Sequence, residues 1–442
     1  MAERLTLGIF LAAMLACLAL GLNIIYGLAF GLVAFFCYAR YIGLSTKQVL
    51  QLIGQGLRIV MSMTAILLII GMLSGAWRAS GTIPFLVYQA TAFINPGNFL
   101  LICFLLCCVM SMLMGSALGT TGTIGVICMM LSQALGINPL FTGGAVLAGA
   151  YFGDRGSPVS ASANLVCTVT KTNIYQHVVM VAKNAWLPFL LACLFYWLLG
   201  FGQGVTDGSA AEAVQLFYAY YQFSWWLAVP AITIILLSVL RVDVKINILI
   251  SILGAYLVGI FLQGHEPLPL LQQLIFGYRM ADGATLANLM DGGGLVSMLP
   301  ASVVVLLAST YFGIFRETPL LDGIKQWLQK ISTHISPFGA ALTTSTFVAA
   351  VCCNQTMPIM LTNNICEKVI PDNRQRALVL ANTATLVAPL IPWNVALMVP
   401  MMMLDTGLGS IFFAFYIYLV PLLGFAVAFW RHKRLEKQQT PS

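Results

Sequence analysis

Apolar runs about as long as a bilayer is thick constrain this chain more than any other feature. Leu5–Gly21, Asn23–Ala39, Ile59–Trp77, Trp186–Gly202, Phe223–Leu240, Ile246–Leu262, Gly294–Phe315 and Ile411–Trp430 carry no charged residue. A helix needs about 20 such residues to cross the hydrocarbon core. A helix also satisfies its own backbone hydrogen bonds where no water is present. Charged residues make up 8% of the chain, against about 25% in soluble domains. These features define an all-α polytopic membrane protein. Leu44–Leu57, Leu268–Phe276 and Leu321–Ile331 are shorter and mixed, and read as amphipathic surface helices or connectors.

The net charge of +7 does not point to nucleic acid, because the basic residues cluster at the ends of apolar runs. Such an arrangement follows from positive-inside anchoring. The tail Arg431–Lys437 places the C-terminus in the cytoplasm. Counting spans backwards puts Lys171, Lys183, Arg40, Lys47 and Arg58 inside, and the acidic stretch Asp207–Glu212 outside. Arg78 alone falls outside against the rule. Met1 to Arg4 precedes an apolar run without a small-residue cleavage site, so the first helix is retained and both termini are cytoplasmic. His177, His265 and His334 lie near span ends and read as interfacial. The eleven cysteines lie mostly inside apolar runs, and none has the spacing of a metal-ligand pair.

Four segments fit poorly as plain spans. Residues 98–133 and 337–367 are apolar but interrupted, at Gly115–Thr123 and at Cys353–Pro358, and read as hairpins that enter the membrane and return. Residues 142–170 and 377–404 read as helices broken at Gly153–Pro158 and at Pro389–Asn394. The order repeats. Arg78 precedes Gly115 by 37 residues, and Arg316 precedes Cys353 by 37. Asp154 and Pro392 each follow 39 residues later. The expected organisation is a first repeat over 1–203, an external connector over 204–222, a second repeat over 223–431 and a basic tail over 432–442. The topology makes the two repeats inverted, each with about five spans and a hairpin. Carriers built this way hold their sites where broken helices meet near the midplane.

Asp154 is the sole carboxylate between Asn98 and Thr170. An acid at membrane depth is costly and is a functional candidate by default. It can bind Na+ when ionised and carry a proton when neutral. The other reading is that it caps a helix end or pairs with a cation. The breaks also carry oxygens: Ser157, Ser160, Ser162 and Asn164 after Asp154, and Ser116, Thr120, Thr121 and Thr123 in the first hairpin. Asn354, Gln355 and Thr356 lie in the second, with Asn382, Thr385, Trp393 and Asn394 along the second broken helix. Hard oxygen donors suit Na+. Any one of these groups can instead bond to a neighbouring helix, as is common in membranes. We take Asp154, Ser157, Asn164, Thr120, Asn354 and Asn382 as ion or proton ligands. Ser116, Thr121, Thr123, Ser160, Ser162, Gln355, Thr356, Thr385, Trp393 and Asn394 are taken as solute ligands. Trp393 either packs over the cavity or is structural. Asp291–Gly294 lacks a phosphate-loop pattern and reads as a flexible turn outside a span.

The chain resembles the NhaC-type Na+/H+ antiporter family. The resemblance rests on Ser80-Gly-Thr-Ile-Pro84, Gly115–Thr123, Gly149-Ala-Tyr-Phe-Gly-Asp-Arg-Gly-Ser-Pro158, Asn354-Gln355 and Leu390-Ile-Pro-Trp-Asn394. It implies transport coupled to Na+ or H+, no cofactor, and a homodimer in which a mobile domain moves against a scaffold. Ala161, Asn354, Ala381 and Asn382 stand where the family pattern usually has acids, so Asp154 is nearly alone. A small amino acid or organic acid that brings its own negative charge is therefore the alternative cargo. The expected function is a secondary transporter of a bacterial inner membrane working by alternating access. A channel gives no reason for an inverted duplication. An intramembrane aspartyl enzyme needs a second acid at comparable depth, and 337–403 offers only Glu367 and Asp372, both in a loop.

Overall fold

A computed structural model describes residues 2–93, 96–201, 220–240, 242–280, 290–321, 336–367 and 369–439. Most of the connector 204–222, nearly all of the segment Leu321–Ile331, His334 and the last three residues of the tail lie outside this set. Among the described residues the chain is helical, and the sole extended pairing is an isolated bridge between Tyr278 and Gly292. Six described helices are long and apolar enough to cross a membrane, and a bent pair from Asn373 to Met403, angled by 56°, makes a seventh.

Helices α1 (Ala2–Ala19) and α2 (Ile24–Tyr41) open the chain. Helix α3 (Thr46–Ala79) is one helix of 34 residues, where the sequence suggested a surface helix followed by a separate span. A capping box fixes its start, with Ser45 accepting from the Gln48 N–H and the Gln48 side chain accepting from the Ser45 N–H. Its glycines weaken helix propensity, but packing outweighs that. Gly56 meets the Ser309 carbonyl of a later helix, and Gly313 of that helix meets the Leu52 carbonyl of α3. A Cβ at either position would overlap the facing backbone. Small residues let membrane helices approach in this way, and the crossing needs α3 unbroken.

Next come α4 (Thr82–Phe93), α5 (Pro96–Met114), α6 (Ala117–Thr120), α7 (Val126–Ala134), α8 (Pro139–Gly156), α9 (Ala161–Thr170) and α10 (Ile174–Phe201). Gly97–Met114 of α5 is itself long enough to cross a membrane. Helix α10 starts a dozen residues before the apolar run at Trp186. The Asn173 side chain accepts from the N–H groups of Tyr175 and Gln176, so polar residues begin the helix. Helix α5 lies tightly on α8, where Gly153 meets the Ser111 backbone and the Ser111 hydroxyl donates to the Ala150 carbonyl.

The remaining helices are α11 (Val229–Val239), α12 (Val244–Phe261), α13 (Pro267–Phe276), α14 (Leu299–Glu317), α15 (Pro337–Cys352) and α16 (Thr356–Cys366). Then follow α17 (Asn373–Asn382), α18 (Ala384–Val387), α19 (Val395–Met403) and α20 (Phe415–Gln439). Helix α13 buries Leu270 and Leu274, one turn apart, as a surface helix should. The Asp291–Gly294 turn is tied to α3: the Gly294 N–H donates to the Gly71 carbonyl at 2.7 Å, and Arg78 donates to the Asp291 carbonyl at 2.9 Å.

Pairings recur between the halves. Helix α1 packs on α2 as α11 packs on α12, and α2 meets α14 as α12 meets α3. Helices α3 and α14 pack on each other. The other helices form a second group, with α5 on α8 and α10, α15 on α16, α9 on α17, and α20 on α8 and α10.

Candidate functional site

Each break is narrower than the sequence suggests. In the first hairpin the chain turns at Gly115, whose φ of 63° favours glycine, and at Ser116, whose hydroxyl caps the Gly119 N–H. Helix then resumes through α6, a π-helical turn over Thr121–Gly125, and α7. The Thr120, Thr121 and Thr123 hydroxyls donate back to the carbonyls of Ser116, Ala117 and Gly119 at 2.9, 2.8 and 2.7 Å. A hydroxyl four residues past a carbonyl in a helix is satisfied locally. These three threonines are buried and lie outside the cavity described below.

The second hairpin turns at Cys353, Asn354 and Gln355. Cys353 has φ of 53°, and Asn354 caps the Met357 N–H at 3.0 Å. The first broken helix is interrupted between Gly156 and Ala161. Its Ser160 hydroxyl donates to the Asp154 carbonyl at 2.5 Å and lies 3.3 Å from Asp154 Oδ1. The same Ser160 oxygen accepts from the N–H groups of Ser162 and Ala163, so it starts α9 as well. The second broken helix ends with Asn394 capping the Ala396 N–H at 3.0 Å.

These turns enclose a cavity of about 390 Å³. Val60 of α3 and Val305, Ser309 and Phe312 of α14 form one wall. Ser116, Asp154, Ser162, Asn354, Gln355 and Thr356 form the opposite one. Asp154 is 5% exposed and is the only buried acid among the described residues. Gln355 organises the polar wall. Its Nε2 donates to Asp154 Oδ2 at 3.0 Å and to the Thr385 carbonyl at 2.9 Å, while its Oε1 accepts from the Ser162 hydroxyl at 3.0 Å. An ionised carboxylate offers about four acceptor positions. Gln355 donates to it, whereas the single proton of the Ser160 hydroxyl goes to the Asp154 backbone carbonyl, and the carboxylate makes no ion pair among the described residues. It therefore keeps capacity for one cation or one proton on the cavity side.

Several expected ligands lie elsewhere because their own backbone surroundings satisfy them. Ser157 donates to the Met112 carbonyl at 2.7 Å, and Asn164 to the carbonyls of Pro158 and Ser160. Thr385 meets Gln355 through its carbonyl while its side chain stays off the cavity. Trp393 donates to the Ala350 carbonyl at 2.7 Å and Asn394 to the Ala349 carbonyl at 2.9 Å, so both brace the second hairpin. Asn382 accepts from Arg155 at 2.5 Å and donates to Asn184 at 2.8 Å.

That last cluster was not legible in the sequence. Arg155 is fully buried, donates to the Tyr416 hydroxyl at 2.6 Å, and makes no ion pair among the described residues. His177, in the first turn of α10, is buried, and neither ring nitrogen has a partner among the described residues. His265 meets the Ala79 carbonyl at 3.0 Å. Cys103, Cys107 and Cys128 bring their sulfurs within 4.8 Å of one another. No metal-ligand spacing among the cysteines announces this trio in the sequence: Cys103 and Cys107 lie one helical turn apart on α5, and the hairpin fold brings Cys128 to them.

Comparison with known proteins gives a consistent result. The model of the Na+/H+ antiporter family matches residues 3–179 and 149–430. The Na+/H+ antiporter NhaC of Alkalihalophilus pseudofirmus is 26% identical over 87% of this chain and 86% of its own length. The malate-2H+/Na+-lactate antiporter of Bacillus subtilis is 26% identical over 80% of this chain and 77% of its own. The arginine/ornithine antiporter ArcD of Halobacterium salinarum is 27% identical over 76% of this chain and 72% of its own.

Proposed function

The chain belongs to the Na+/H+ antiporter family, and on that footing we propose that Asp154 takes Na+ and H+ in turn as the protein alternates access between the two sides. Members are membrane transporters and not enzymes. The observation that carries the proposal is a buried carboxylate, alone and unpaired by any cation among the described residues, on a cavity between two groups of helices. One carboxylate holds one cation at a time, so Na+ and H+ exclude each other. Competition for one site that faces each side in turn is sufficient for exchange. Ser116, Ser162 and the carbonyls freed at the breaks are the oxygens available to complete a Na+ shell.

The wall from α3 and α14 belongs to a fixed scaffold in this reading, and the wall carrying Asp154 belongs to the part that moves. The recurring helix pairings favour two inverted repeats, with re-entrant hairpins facing opposite sides. The reading also includes a homodimer in a bacterial inner membrane with both termini cytoplasmic. The test uses proteoliposomes under an outward proton gradient. Wild type should take up ²²Na+ in exchange for protons, and Asp154→Asn should not. Unchanged coupling in Asp154→Asn would remove this residue from the mechanism.

A second reading is favoured by the cavity itself. About 390 Å³ with a largely apolar wall is far more room than a bare ion needs. Relatives named for malate and lactate, or for arginine and ornithine, exchange organic solutes. An organic cargo in the same cavity is therefore the alternative.

A further inference from the structure

We infer that the cavity accepts a neutral α-amino acid with an apolar side chain, whose ammonium group occupies Asp154 in place of Na+ or H+. This rests on Asp154 as the cation-holding group of the proposed function. Three features of the cavity select the class.

The first is charge. Among the described residues, Asp154 is the sole charged residue of the wall. A dicarboxylate would leave an anion there with no cationic side chain to meet it. A dibasic solute would leave its distal cation with no second acid. Burying either charge unpaired is strongly unfavourable. A zwitterion presents one ammonium to one carboxylate and adds no net charge.

The second is a place for the solute's own carboxylate. Helix α16 begins at the cavity wall, at Thr356. The N–H groups of Gln355 and Thr356 donate to no acceptor among the described residues. Helices α9 and α19 also begin there, but Ser160, Cys353 and Asn394 already take the N–H groups of Ser162, Ala163, Val395 and Ala396, which leaves α16 as the open end. Helix N-termini carry partial positive charge and unpaired N–H groups, both favourable to a carboxylate. Gln355 links the two subsites, with its side-chain amide on Asp154 and its backbone at the start of α16. An α-amino acid carries its two charged groups on one carbon, and so can meet both.

The third is the opposite wall. Val60, Val305, Ala308 and Phe312 offer apolar surface, and the one polar side chain there, Ser309, spends its proton on the Leu306 carbonyl. Because ammonium and Na+ compete for the same oxygens, the two cargoes move by exchange and not together.

The test is a thermal-shift series on the purified full-length protein, followed by uptake in proteoliposomes. The probes are leucine, its decarboxylated analogue isoamylamine, its deaminated analogue 4-methylpentanoate, glutamate and ornithine. A binder of the folded state raises Tm by mass action. Leucine should act at concentrations at least about tenfold below those of either analogue, because each analogue lacks one charge-assisted contact. Na+ should shift the leucine midpoint upwards, and Asp154→Asn should abolish the response. A response to 4-methylpentanoate equal to leucine's, a leucine response kept in Asp154→Asn, or no response to leucine would each overturn the inference. In the last case, intact ²²Na+/H+ exchange would leave the antiport reading standing. Leucine binding without Na+/H+ exchange would sink that reading alone.

Discussion

Asp154 and Arg155 are neighbours of opposite charge, yet α8 sends them to different regions. The carboxylate faces the cavity, held by the Gln355 amide with capacity to spare. The guanidinium faces the closed core, between Tyr416 and Asn382, with its carbon 5.9 Å from the Tyr416 ring centroid. Both are buried polar groups at membrane depth, and the rule that such residues are functional candidates flags them equally. Access to the cavity separates them, because Arg155 lies off its lining and keeps one buried nitrogen, Nε, without a partner among the described residues. A polar group turned to its neighbours builds the protein, and one with capacity facing a cavity is free to bind. The same contrast runs through the hydroxyls: Thr121 is spent on its own helix, whereas Ser162 reaches across the cavity wall to Gln355.

Substitutions can break or sharpen this contrast. The largest effect should come from Asp154→Asn, which keeps shape and removes charge. Na+-coupled proton flux should fall to the level of empty liposomes, while Tm changes little. Next is Arg155→Met, which leaves the Tyr416 hydroxyl and Asn382 without their charged donor. Two hydrogen bonds to a charged group are worth about 1.5–3 kcal/mol each, so Tm should drop clearly while the Na+ concentration for half-maximal flux stays unchanged. An altered Na+ dependence there would erase the distinction between the two regions. Gln355→Leu should weaken Na+ about tenfold in flux assays, since one charge-assisted bond that positions the Asp154 carboxylate is lost. Asn394→Ala removes a helix cap and should cost about 1 kcal/mol in denaturation, with Na+ affinity intact. Thr121→Val should be the quietest, within about 0.5 kcal/mol and without any change in transport.

Much of the architecture was legible in the chain. The long apolar runs, the interruptions at Gly115 and Cys353, and the break after Asp154 follow from local rules, because glycine, proline and capping residues act within a few positions. Helix ends were less legible. The start of α10 depends on Asn173 as a cap, and the length of α3 depends on its contact with α14, which hydropathy does not record. The least legible part was the role of each polar residue. Asn354, Asn382 and Asn394 look alike as ligands, and only the packing assigns the first to the Met357 N–H and the Cys352 carbonyl, the second to Arg155 and the third to the Ala349 carbonyl.

Period, composition and backbone breaks are local properties, and they were enough to mark a helical membrane protein with one acid, Asp154, at the centre of its first broken helix. Only the tertiary structure decided which oxygens meet that acid across a cavity and which are already taken. Hydrogen-bond saturation depends on neighbours far apart in the chain, as with Gln355 and Asp154, which lie 201 residues apart and 3.0 Å from bonding atom to bonding atom.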